Sequence, residues 1–173
     1  MKCLKTTAAI EWSKLHRIHV DEQGRQLHSV SGLKKRRFSV PSDASKHASF
    51  CNLVANSLQP WRRCLLWITQ WGVWESSENW HLYYRLRQSY DDRLLIEEAP
   101  AHLFLDYEGH DLVSFIQIAL SNGWDFSLLS DSGYPSVFAS HDEWIEVVMQ
   151  DEAELEKITA EWVECGIKLV STS

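Results

Sequence analysis

The residues best suited to bind a ligand lie in one short segment, residues 71–79 (WGVWESSEN), which holds two indoles, two hydroxyls and an amide. The segment follows a continuous apolar run, CLLWIT at residues 64–69, that is typical of a buried central strand. A helix is predicted to start at residue 78. In open α/β sheets, ligands bind where a strand ends and the next helix exposes free N–H groups. We therefore predict a binding surface made by Trp71, Trp74, Ser76, Ser77 and Asn79. The alternative is that both indoles cover the core while a serine only caps the helix.

A second group of candidate residues is the basic run Lys34, Lys35, Arg36 and Arg37, which is followed by Phe38. Such a patch could contact the phosphates of a nucleic acid. Residues 1–47 hold ten basic and four acidic residues, whereas residues 48–173 hold seven basic and twenty acidic residues. The charge split predicts a basic arm for an anionic partner, or an arm that lies on the acidic body of its own chain. A solvated connector is the third possibility for the basic run.

The sequence predicts neither a metal site nor a cofactor site. His81, His110, Asp111 and Asp142 are residue types that bind divalent metals. However, Asp111 is explained as the N-terminal acid of a helix, and Asp142 falls between predicted strands. The four scattered cysteines form no CxxC pair, which argues against zinc and against a disulfide framework. The sequence has no Gly-rich phosphate loop, nucleophile elbow or dinucleotide fingerprint, so we expect no cofactor, no metal and no catalytic residue.

Hydrophobic periodicity predicts the elements of an acidic body, residues 48–173. Helical spacing is found in the segment that ends before Pro60 and in residues 78–90, 111–122 and 151–166. Alternation predicts a hairpin over residues 124–140 and a further strand at 144–149. The order predicts an α/β fold, with α+β possible: a single sandwich with a mixed sheet of four to six strands and three or four helices. Five residues are expected to share its core: Trp67, Phe115, Ile116, Trp124 and Phe126.

The first 47 residues are predicted to form a basic N-terminal hairpin or arm. A broken alternation indicates a first strand; its apolar residues are Ile10, Trp12, Ile18 and Val20. Residues 21–24 (DEQG) form a plausible turn, and residues 26–30 are predicted to return as the second strand. The basic run that follows is expected to be an exposed connector.

One resemblance to known proteins is carried by long motifs. They are CLLWITQWGVWESSENWHLYYRLRQSYDD at residues 64–92, EAPAHLFL at residues 98–105 and SHDEW at residues 140–144. With these motifs the chain resembles a family of uncharacterised bacterial proteins over about residues 64–146. The resemblance implies a bacterial source, and it implies neither a mechanism nor functional residues.

Three functions remain open at the level of sequence. No apolar run reaches membrane-spanning length and no signal peptide is recognised, so we expect a cytoplasmic protein that does not act in a membrane. An acidic body with nine tryptophans favours a non-catalytic binding protein, of the adaptor or toxin-neutralising type, with a protein partner. The first alternative is a small enzyme with its pocket at the residue 71–79 loop. The second is a nucleic-acid binder that uses the basic N-terminal region.

Overall fold

The computed structural model describes residues 1–22, 24, 32–73 and 80–170. In these residues one open sheet has eight strands in the order β1-β4-β3-β5-β6-β7-β2-β8, and every neighbouring pair is antiparallel. The strands are β1 (Lys2–Leu4), β2 (Lys34–Ser39), β3 (Arg63–Gln70), β4 (Ala101–Leu105), β5 (Asp125–Ser130), β6 (Ser136–Ser140), β7 (Trp144–Met149) and β8 (Leu169–Val170). The helices are α1 (Thr6–Leu15), α2 (Ala44–Ser57), α3 (Trp80–Ser89), α4 (Gly109–Ser121) and α5 (Glu152–Glu164), with a short 3-10 helix at Asp106–Glu108.

The α/β class predicted from the sequence is confirmed, but the predicted sheet is too small. The described residues contain eight strands instead of four to six, and five helices instead of three or four. The sheet is antiparallel and not mixed. Three of the additional strands, β1, β2 and β8, are either very short or highly charged, so that periodicity does not reveal them.

The sheet has a separate apolar core on each face. Successive side chains of a strand point to opposite faces, so Leu66 and Ile68 of β3 join one core while Leu65 and Trp67 join the other. Helices α2, α3, α4 and α5 contribute to the larger core, and α1 contributes to the smaller one. All five predicted core residues are buried, and four of them share the larger core: Phe115, Ile116, Trp124 and Phe126. The grouping was wrong for Trp67, which lies on the other face.

Several local predictions in the body are confirmed. Strand β3 is buried from Cys64 to Ile68 and has a hydrogen-bonded neighbour on both sides. Helix α4 is followed by Asn122 and by Gly123 at φ +60°, the left-handed conformation that favours glycine. Strands β5 and β6 pair as the predicted hairpin. Helix α5 begins after Asp151, whose carboxylate accepts hydrogen bonds from the N–H groups of Ala153 and Glu154.

The hairpin predicted for the N-terminal third is wrong in its first strand. Ile10 and Trp12 belong to helix α1, which packs its buried side chains against the smaller core. Residues 26–30, the predicted second strand, lie outside the described residues. The basic run is also not a connector, because it forms most of strand β2 in the same sheet as the body. The predicted boundary at residue 47 falls inside helix α2.

The two ends of the predicted turn at residues 21–24 are hydrogen-bonded to each other, and Gly24 packs against the sheet. The N–H of Gly24 donates to the carbonyl of Asp21 at 3.1 Å, and the Gly24 carbonyl accepts from the Ser127 hydroxyl at 2.9 Å. Gly24 has φ +80°, and a Cβ at this position would lie 2.5 Å from the indole of Trp67. A glycine is therefore required both by the backbone conformation and by the close approach of the indole. In the described part of the chain, no helix is long and apolar enough to cross a membrane.

Candidate functional site

The end of β3, the start of β5 and the end of β6 lie together at one end of the sheet. Gln70, the last residue of β3, pairs with Asp125, the first residue of β5, and Ser140 ends β6. Residues 71–73, the described start of the predicted binding segment, follow β3 at this end. Trp71 is partly buried and packs against the larger core. The other four predicted site residues lie outside the described residues: Trp74, Ser76, Ser77 and Asn79.

Aromatic side chains pack beneath this end of the sheet. Trp80, at the start of helix α3, is partly buried, and its ring centroid lies 5.1 Å from that of Trp124. The same indole stacks on Tyr84 at 5.9 Å and meets the edge of Tyr83 at 6.2 Å. Trp71 and Trp80 therefore pack against the core and also retain some contact with solvent. For Trp71, the alternative in which the indoles of residues 71–79 cover the core holds in part.

Asp125 and His141 form a hydrogen-bonded pair at the same end. The backbone N–H and the ring Nδ1 of His141 each lie 2.7 Å from Oδ1 of Asp125. A carboxylate only accepts, so Nδ1 carries a proton and donates a hydrogen bond to Asp125. Nε2 lies 3.6 Å from Oδ1 of Asp142. The side chain of Asp125 is 5% exposed and that of His141 is 25% exposed, so the pair is anchored inside and reachable from outside.

A small cavity of about 170 Å³ adjoins this pair. It is bounded by the end of helix α4, by Val40, which directly follows β2, and by the β6–β7 turn. The lining residues are Val40, Leu120, Ser121, Asn122, Gly123, Trp124, Ser140, His141 and Glu143. Glu143 in the turn has φ +62°, a left-handed conformation that is uncommon for a residue with a side chain. The end of the sheet thus offers aromatic surface, an oriented imidazole and a small concavity.

All four residues of the predicted basic patch are ion-paired within the chain. On one side of β2, Lys34 lies 3.7 Å from Glu152, and Arg36 contacts both Glu152, at 2.7 Å, and Glu156. Lys35 and Arg37 lie 3.6 Å and 3.3 Å from Glu146 of β7, whose side chain is only 2% exposed; the guanidinium of Arg37 also lies 3.7 Å above the ring of Trp144. These contacts match the alternative in which the basic residues lie on the acidic body of their own chain, and they count against a free phosphate-binding patch.

The residues considered as metal ligands are not assembled into a site. Asp111 accepts a 2.5 Å hydrogen bond from the hydroxyl of Tyr90, and His81 is exposed on helix α3. Within the described ranges, no group of three or more His, Cys, Asp and Glu side chains is arranged to hold a metal ion. The cysteines are free thiols, and burial raises the pKa of Cys51 to about 12, so this thiol is not a thiolate nucleophile at neutral pH.

A buried polar chain links helix α3 to strand β4. Arg87 donates from Nη1 to the hydroxyl of Tyr83 at 2.8 Å, and from Nε and Nη2 to Asp92 at 3.0 Å and 2.6 Å. The Tyr83 hydroxyl lies 2.9 Å from Nε2 of His102, whose Nδ1 lies 3.4 Å from the carbonyl of Leu66. Tyr83, Arg87 and His102 are all 0% exposed. Burial, followed by the charge of Arg87, lowers the pKa of His102 to about 3. The ring is therefore neutral and fixed in the fold, out of reach of a substrate.

We expect His102 to make the fold sensitive to acid. In the unfolded chain a histidine takes up a proton near pH 6.5, whereas folded His102 stays neutral until about pH 3. The unfolded state then binds more protons across this window, so stability falls as the pH drops below 6.5, by about 1.4 kcal/mol per pH unit. At pH 5, the neutral state of folded His102 is expected to lower the free energy of unfolding by about 2 kcal/mol relative to pH 7. Urea unfolding of wild type and His102→Gln between pH 7 and pH 5 measures it. The variant should have a shallower acid slope, and equal slopes would show that His102 does not carry the effect.

Comparison with known proteins identifies no family for this chain. No protein-family model, no curated protein and no solved structure matches the chain. The similarity of residues 64–146 to a bacterial family stays a prediction, and the candidate site is judged on its own geometry.

Proposed function

We propose that the chain is a binding protein whose partner docks at the end of the sheet where β3 ends and β5 begins. The observation that carries the proposal is the Asp125–His141 pair, which presents an oriented, quarter-exposed imidazole beside the end of β3. Partly exposed indoles of Trp71 and Trp80 lie at the same end. Aromatic side chains next to a few fixed polar groups are the composition of interaction hot spots.

The charge of the protein favours a partner with a basic surface. The formal net charge is −7, and the four cations of strand β2 are already paired with glutamates of the same chain. Asp142 and Glu143 are exposed next to His141, and the side chain of Asp142 is 69% exposed. A basic protein would be attracted to this end, and its affinity should fall as salt screens the charges. An adaptor or a toxin-neutralising protein of a bacterial cytoplasm fits this description, whereas a nucleic acid would be repelled by it.

A small enzyme at the same site is the second candidate function. It is favoured by the hydrogen bond from Nδ1 of His141 to Asp125, which fixes the orientation of the ring. In the neutral ring, Nε2, which lies 3.6 Å from Oδ1 of Asp142, would be the nitrogen that acts as a general base. Binding and catalysis would use the same end of the sheet, so the two candidates are separated by whether His141 affects turnover of a small molecule or only the affinity for a protein.

The binding proposal predicts that Trp71→Ala and His141→Ala each weaken the partner's affinity at least about tenfold, since each removes a central contact. The tagged wild-type chain is used to capture proteins from the native host, and mass spectrometry identifies those retained. Each captured protein is then purified, and calorimetry measures its dissociation constant for wild type and variants at two salt concentrations.

The matched control is Leu15→Ala, which truncates a side chain that is 76% exposed on helix α1, away from the site. The control should bind as wild type does. The proposal is wrong if the recovered partner binds both site variants with wild-type affinity, or if the control loses as much affinity as they do.

A further inference from the structure

A groove of about 750 Å³ lies between helix α2 and the segment that joins α5 to β8. Its lining residues are Ser39, Val40, Pro41, Ser42, Asp43, Lys46, Ser49, Phe50, Asn52, Leu53, Asn56, Cys165, Gly166, Ile167 and Lys168. Only Val40 also borders the small cavity beside His141, so the groove and the sheet-end site are neighbouring but separate surfaces.

The shape of the groove fits an elongated ligand. The residues contributed by α2 run from Lys46 to Asn56, which is a span of ten residues or about 15 Å along the helix axis. Four or five residues of an extended peptide cover about the same length. The floor is apolar, with Phe50 and Ile167 buried and Leu53 partly buried, so it can accept aliphatic side chains.

The charges of the groove select for acidic groups. Its charged lining residues are Lys46, Lys168 and Asp43. The Asp43 carboxylate already accepts hydrogen bonds from the N–H and the hydroxyl of Ser45 at the start of α2, and these bonds lower its pKa. Lys46 and Lys168 are exposed, and neither has a carboxylate within 4.0 Å among the described residues, in contrast to the cations of strand β2. The charge of Lys46 also acts on Asp43, which helps to lower the pKa of that carboxyl group. With two lysines and one aspartate, the charged lining still has a net charge of +1 beside an apolar floor, which is complementary to carboxylates that flank an aliphatic side chain.

Main-chain partners are also present beside the groove. Asn56 is exposed, and a side-chain amide can both donate to and accept from a peptide group. The wall formed by residues 165–168 continues into β8. There, the Lys168 carbonyl accepts from the N–H of Ser39, so the peptide groups of Leu169 point away from β2. No described strand pairs with that outer edge of β8. Peptide recognition at sheet edges uses such unpaired main-chain groups.

We propose that this groove binds an extended segment of a partner protein, four or five residues long, in which acidic residues alternate with aliphatic ones. The site goes beyond the proposed function, because it is a second surface with the opposite charge preference. A chain with both surfaces can hold two partners at once, as an adaptor does.

The test uses two pools of octapeptides on the immobilised full chain. In one pool Asp or Glu alternates with Leu, Ile or Val, and in the matched pool Asn or Gln replaces each acid. The wild-type chain should retain the acidic pool preferentially. The double variant Lys46→Glu, Lys168→Glu should reduce its retention at least about tenfold, because each attraction becomes a repulsion. The variant Lys5→Glu, Lys14→Glu makes the same charge change on exposed lysines near helix α1 and should bind as wild type does.

Three outcomes would overturn the proposal: no retention of the acidic pool above the amide pool, undiminished retention by the groove variant, or equal loss in the α1 control. Peptide retention is also measured with Trp71→Ala and His141→Ala. If these two variants retain the peptides as wild type does, the groove binds independently of the sheet-end site. Each of the two proposals can then be disproved without the other. Loss of retention in those variants would contradict the claim that the two surfaces are separate.

Discussion

Asp92→Ala should destabilise the protein by about 3–5 kcal/mol, one of the two largest effects expected of a single substitution in this fold. Arg87 is 0% exposed, and two of its three guanidinium nitrogens donate to Asp92. Removing the carboxylate leaves a positive charge buried without its counter-ion, which costs far more than the loss of a surface ion pair. Nearby Cys3 cannot replace the carboxylate, because burial raises the pKa of its thiol to about 12. Urea unfolding at pH 7 measures the loss.

The control for this prediction removes both charges. In the double variant Arg87→Met, Asp92→Ala, the buried charge is replaced by a flexible apolar side chain, so most of the lost stability should return. The Tyr83 hydroxyl then keeps its hydrogen bond to His102. If the double variant is as unstable as Asp92→Ala alone, the buried charge is not the cause of the destabilisation. A loss below about 1 kcal/mol in the single variant would mean that water reaches Arg87.

The body of the fold was predictable because its signals are local. Strand β3 is a continuous apolar run, helix α4 has an apolar stripe that ends at Asn122 and Gly123, and the β5–β6 hairpin alternates. Strand β2 could not be recognised in this way. Its sequence, KKRRFS, is that of a solvated connector unless its charges are compensated, and the compensating glutamates lie 109 to 120 residues further along the chain. The predicted number of strands was too small because the pairing of β2 with β7 depends on these long-range contacts.

The candidate site was predictable only in part. The position of residues 71–79 at the end of a buried strand followed from the sequence, because the strand itself was evident. Asp125 and His141 were missed, since they are 16 residues apart and match no motif. The predicted hairpin contained the necessary signal: its register pairs Phe126 with Ala139, and this brings the start of β5 next to the turn after β6. The charge split of the sequence allows either a free basic patch or ion pairing with the body, and only the three-dimensional contacts decide between them.

Phe115→Ala should also cost about 3–5 kcal/mol, because Phe115 links helix α4 to the centre of the larger core. Its ring is 1% exposed and lies 5.0 Å from the ring of His102, 5.4 Å from Phe104 and 6.0 Å from Tyr83. Truncation loses the burial of the ring and leaves a cavity that buried neighbours cannot readily fill. The polar chain through Tyr83 and His102 holds two of those neighbours in place, so little relaxation is expected.

Urea unfolding of Phe115→Ala, with Leu82→Ala as the control, tests this prediction. Leu82 is 51% exposed on helix α3, so its truncation removes apolar atoms that are largely in water already, and the loss should stay near or below about 0.5 kcal/mol. Phe115→Leu should recover part of the stability by filling some of the cavity. A loss under about 1 kcal/mol for Phe115→Ala, or a loss equal to that of the control, would show that helix α4 does not present Phe115 to the core.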